Sequence, residues 1–87
     1  MDELYPALKE YYKKHIFEEF PDELKDDLKY AEAKWEPELP PPIFYLVSYM
    51  RWVLDYKTPK VEEILKSIGA TDEDISEIFS GPTDLYF

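Results

Sequence analysis

The sequence predicts an all-α fold, a compact bundle of four to five helices with a proline-rich crossover. Three observations predict it. Apolar residues recur at spacings of three and four through most of the chain, the period of a helix buried along one side. Prolines and capping residues stand where these stretches begin, and Gly69 and Gly81 stand where two of them end. Pro37, Pro40, Pro41 and Pro42 hold one short segment extended and interrupt the helical pattern near the middle of the chain.

The first helix is predicted over residues 3–20, with Asp2 as its cap and Pro6 tolerated near its start. Leu4, Leu8, Tyr12 and Ile16 form its buried stripe, widened by Tyr5, Tyr11, Phe17 and Phe20. Pro21 breaks it and opens a second helix over 21–35, where Asp22 and Glu23 suit the positive end of the helix dipole. Leu24, Leu28, Ala31 and Trp35 share one face of that helix, and Asp26, Asp27, Lys29, Glu32 and Lys34 the other. Residues 36–42 make a stiff connector of a length that suits a crossover along the side of the bundle.

The third helix, over 43–56, is the most apolar element, since only Ser48, Arg51 and Asp55 are conspicuously polar. A helix apolar nearly all round is either central in its own fold or buries a second face in something else. Thr58-Pro59 supplies a cap and a first-turn proline for a fourth helix over 59–68, with Val61, Ile64, Leu65 and Ile68 as its stripe. Thr71-Asp72-Glu73-Asp74 reads as a capping box for a fifth over 72–80, burying Ile75, Ile78 and Phe79 before Gly81-Pro82 stops it. An apolar-aromatic tail, 83–87, follows.

A chain of 87 residues holds one core, so residues 1–87 are read as a single domain. Net stability for a domain of this size falls at about 4 to 13 kcal/mol. Twenty acidic against ten basic side chains give a net charge of −10, so a nucleic-acid backbone or an anionic membrane is repelled. Cysteine is absent, which removes disulfides, thiolate metal sites and a Cys nucleophile. Met1-Asp2-Glu3 is acidic where a signal peptide is cationic, and the longest apolar stretch is shorter than a membrane span. The expectation is cytoplasmic or recombinant production with no targeting signal.

No catalytic, cofactor or metal site is expected. His15 is the one histidine, placed one helical turn before Glu19 as a pairing partner, and no Glu-x-x-His pair exists to hold a metal in a bundle. Asp72-Glu73-Asp74 lacks the spacing of a calcium loop. Only two glycines occur, so no Gly-rich phosphate cradle is available. Ile64 to Phe79 has the outline of a helix-turn-helix, but its second helix would begin with three carboxylates facing phosphate.

Eight Tyr, five Phe and two Trp exceed what so small a core encloses, so some rings must reach the surface. Aromatic and Arg side chains dominate the binding energy of protein interfaces. The candidate contact stripe is Tyr45, Tyr49, Trp52 and Tyr56 with Arg51, on the face of the third helix away from Leu46, Met50 and Val53. Tyr86 and Phe87 in the tail are added as a second contact. The expected partner is another protein with a basic or apolar surface.

Neither Cys, Asn nor Gln occurs, and with the explicit caps and the Pro40-Pro41-Pro42 connector this resembles the class of computationally designed helical mini-proteins and binders. The resemblance implies a rigid helix face presented to a target. The natural alternative is a hyperthermophilic archaeal or viral accessory protein, either a subunit riding on a larger enzyme or an acidic inhibitor mimicking nucleic acid; depletion of thermolabile amides suits it. Val61 to Gly69 looks locally like a segment of acidic ribosomal stalk proteins, and nothing about function follows from so generic a helix.

Overall fold

The most apolar stretch of the chain becomes its centre. In the computed structural model, which describes residues 3–33 and 41–81, helix α3 (Pro42–Ser48) runs on into five residues of π-helix, Tyr49–Val53. Ile43, Phe44 and every residue from Leu46 to Met50 are buried. α3 packs against α1 (Leu4–Tyr11) and α2 (Asp22–Ala33), and its π extension against α4 (Thr58–Ser67). Ile75 and Ile78 of α5 (Asp72–Ser80) complete the same core. A helix with apolar residues on every side is thus central because neighbours surround it.

Among the described residues there are five α-helices and no strand. Their radius of gyration, 12.0 Å, equals the roughly 12 Å of a folded chain of this length. No helix among them is long and apolar enough to cross a membrane.

The first predicted helix stops short of Phe20. α1 continues as π-helix over Tyr12–Ile16, which closes with the Phe17 N–H donating to the Tyr12 carbonyl at 2.6 Å. Phe17 is then extended (φ −133°, ψ 138°), and Pro21 keeps the residue before it out of the helical region. The early stop turns aromatic rings inward. Phe17 stacks on Tyr12 at 6.1 Å and meets Tyr49 edge-on at 6.0 Å, while Phe20 reaches Tyr12 at 6.0 Å. Tyr12 is fully buried, and its hydroxyl donates to the Leu46 carbonyl of α3.

α2 buries Leu24, Leu28 and Ala31 as their spacing predicts; Trp35 lies outside the described residues, as do most of the connector and the tail 83–87. Pro21 stands immediately before the helix and its carbonyl accepts from the Lys25 N–H at 2.8 Å. The third helix ends before Tyr56. Asp55 adopts a left-handed backbone (φ 57°) and the Tyr56 N–H donates back to the Met50 carbonyl at 2.9 Å, a cap one residue wider than the usual Schellman closure.

The capping residue of α4 is Lys57, whose carbonyl accepts from Val61 at 3.1 Å, so Thr58 enters the helix without capping it. α4 closes on Gly69 (φ 102°) with both Schellman bonds, Gly69 N–H to Lys66 at 3.1 Å and Ala70 N–H to Leu65 at 3.0 Å. The capping box of α5 forms as predicted. Asp74 N–H donates to the Thr71 hydroxyl and Thr71 N–H to the Asp74 carboxylate, each at 3.1 Å. The backbone bond from Thr71 holds the Asp74 carboxyl below its usual range.

Ser48 is the polar exception in the core. It is fully buried, and its hydroxyl has no hydrogen-bond partner among the described residues. Burying an unpaired hydroxyl costs roughly 1–3 kcal/mol by mutational measures. Ser48→Ala is therefore expected to raise the unfolding free energy by about 1 kcal/mol in a urea titration, and a loss would refute this account of the site.

Candidate protein-binding surface

The π segment decides which side chains of the third helix reach solvent. Each wide turn lags behind an α-helical turn, so residues after Tyr49 are rotated back from their expected positions. Val53, expected inside beside Leu46 and Met50, comes out to 45% exposure, next to Trp52 at 42%. Tyr49, expected on the outer stripe, is only 5% exposed, enclosed by Phe17 from the chain reversal after α1. Burial raises its phenol above the ordinary range, with the Glu23 carboxylate adding to the shift.

The remaining stripe residues separate into two places. Tyr45 is half-buried; burial and then the nearby Asp27 and Tyr30 push its phenol upward, which sets it on the α2 side of the molecule. Arg51, Trp52 and Tyr56 stay together around a shallow cleft of 170 Å³ that Asp55, Lys57 and Thr58 complete. Tyr86 and Phe87 lie outside the described residues.

Cations organise the rings of this end. The Arg51 guanidinium lies between two of them, 5.6 Å from the Trp52 ring and 5.7 Å from Phe79 of α5. Lys60 of α4 stands 4.0 Å above the Tyr56 ring. Such contacts contribute about 0.5–1 kcal/mol each at exposed sites, and they also fix ring orientation. The exposed Trp52 and Val53 stand next to Arg51, with Lys57 in the same cleft as Trp52 and Lys60 on the Tyr56 ring.

Three contributors escape the sequence pattern. Val53 is misplaced by assuming an α-helix throughout. Phe79 and Lys60 join through tertiary packing of α5 and α4. Tyr30, 48% exposed, was detectable, being a large ring outside the Leu24, Leu28, Ala31 stripe of α2.

The chemistry-bearing groups sit elsewhere. His15 is exposed on a 440 Å³ cleft with Glu10, Lys14 and Ser67, and its ring lies 4.7 Å from Tyr11. Its expected pairing with Glu19 depended on a continuous helix, which ends at Ile16. The Ser67 hydroxyl donates to the Ile64 carbonyl at 2.6 Å, a local helix bond. Among the described residues no three His, Cys, Asp or Glu side chains converge as a metal would require.

Comparison with known families, curated proteins and solved structures finds no match for this chain.

Proposed function

We propose that this chain is a non-enzymatic protein-binding module that docks through the end of its central helix, with Trp52 and Val53 as anchors and Arg51 and Tyr56 beside them. The observation that carries this reading is the exposure of Trp52 and Val53, adjacent on an element whose preceding residues are enclosed. A large indole held by a guanidinium offers contact area at little cost in conformational entropy, which is the property of an interface hot spot. The partner surface is apolar at its centre and tolerates or attracts negative charge at long range. Tyr49 takes no part in contact, and its role is to support the segment from below.

On origin, three features favour a natural accessory protein over a designed binder. Two π segments, Asp55 at a left-handed backbone and the orphaned Ser48 hydroxyl are irregularities that idealised backbones avoid.

Capture from a cell lysate with immobilised wild-type protein and Trp52→Ala, followed by mass spectrometry, tests the binding reading. Proteins retained by the wild type are expected to be lost from Trp52→Ala, whose affinity falls about thirtyfold if the indole is a hot spot. Equal recovery by both, with the variant folded by circular dichroism, discards this surface. Retention that survives about 1 M salt supports the apolar anchors, whereas capture abolished by salt assigns binding to charged faces of the chain.

A further inference from the structure

Among the described residues, four lysines of this acidic chain converge on a groove between α1 and α2. Lys9 and Lys13 on the α1 side and Lys25 and Lys29 of α2 border a depression of 340 Å³, with the buried Leu28 and the half-buried Phe20 at its base. Four of the ten basic side chains in a molecule of net charge −10 meet there. The clustering follows from helical spacing. Lys25 and Lys29 are one turn apart on the flank of α2 that faces α1, while Asp27 and Tyr30 lie toward Tyr45 on the other flank.

One end of the groove already holds a carboxylate. Glu32 accepts a hydrogen bond from the Tyr5 hydroxyl and pairs with Lys9 at 3.0 Å. Burial is the largest single influence and pushes the Glu32 carboxyl up, but the hydrogen bonds from Tyr5 and Lys9 and the Lys9 charge together outweigh it and hold the carboxyl below its ordinary range. Beyond Glu32 the same lining continues without an acid. Lys13 sits 5.7 Å from the Phe20 ring, and Lys25 and Lys29 form no ion pair among the described residues.

We propose that this groove binds an acidic peptide segment of a partner protein, with carboxylates on Lys13, Lys25 and Lys29 and one apolar side chain on Phe20 and Leu28. Charge complementarity selects the occupant. A short segment with three or four carboxylates meets the local lysines, whereas a long polyphosphate meets the field of the whole molecule, which is negative. Its cations are all lysines, point charges that pair singly with carboxylates, and the apolar Phe20 and Leu28 between them suit a peptide side chain better than a bare phosphate. The apolar base adds a requirement for a ring or branched chain between the acids.

The test uses fluorescein-labelled Glu-Glu-Phe-Glu-Glu and fluorescence anisotropy at low salt. Saturable binding is expected below about 1 mM, weaker for Glu-Glu-Ser-Glu-Glu. The double variant Lys25→Glu, Lys29→Glu is expected to weaken binding about tenfold or more. Lys14→Glu, Lys66→Glu changes the net charge equally outside the groove and is expected to keep most of the affinity. Trp52→Ala leaves this binding unchanged, so failure here and failure of the aromatic surface are separate results. No binding at 1 mM, equal losses in both double variants, or tighter binding of a thymidine pentanucleotide than of the peptide each overturns the proposal.

Discussion

Tyr12→Ala is expected to remove about 3–5 kcal/mol of stability, the range for truncating a large buried aromatic side chain. Against a total of roughly 4–13 kcal/mol, this loss brings the chain close to unfolding at room temperature. The size follows from the position of the residue. Tyr12 is fully buried, begins the first π segment, and carries Phe17 and Phe20 on its ring while bonding the α3 backbone through its hydroxyl. Its removal leaves the chain reversal at Phe17 without the surface it packs on.

Urea titration measures the effect, and Tyr12→Phe separates its parts. Loss of the hydroxyl alone is expected to cost about 1 kcal/mol, because the Leu46 carbonyl still accepts from the Tyr49 N–H. A Tyr12→Phe loss as large as that of Tyr12→Ala would place the stabilisation in the hydrogen bond and refute the packing account.

Gly81→Ala is expected to destabilise by about 1–3 kcal/mol through overpacking, although alanine is the better residue for most backbones. A Cβ at Gly81 would stand 2.6 and 2.8 Å from two ring carbons of Phe44, and that ring is itself buried in the core. Gly81 has an ordinary extended backbone (φ −94°, ψ −170°), so the constraint is space. Gly69 is the reverse case, with open space around its missing Cβ and a φ of 102°. Thermal unfolding of Gly81→Ala, Phe44→Leu and the double variant tests this. The pair is expected to couple favourably by about 0.5–3 kcal/mol, since the smaller side chain makes room for the methyl. Strict additivity would show that Phe44 is not the obstacle.

The helical class of this chain is legible because its signals are local. Leu24, Leu28 and Ala31, or Val61, Ile64 and Leu65, fall on one side of any helix built from those residues. The Thr71 to Asp74 box and the Gly69 stop need only a few neighbouring residues to form. The composition of the third helix allowed two readings, central in its own fold or burying a second face in a partner, and did not choose between them. Its candidate surface was not legible either. Tyr49 and Val53 exchange their expected environments because a π turn replaces an α turn, and no residue in Tyr49–Val53 announces that by itself.

The early end of the first helix has the same cause. Phe17 gives up helical bonds in exchange for contacts with Tyr12 and Tyr49, and Tyr49 is distant in sequence. The lysine groove likewise needs α1 and α2 side by side. Sequence alone determined the helical class, most of the buried stripes, the acidic charge and the shortage of catalytic side chains, all of which depend on residue type and short-range spacing. Only the tertiary structure decided which rings of the first and third helices face solvent, since that depends on where long-range packing widens a helix or ends it.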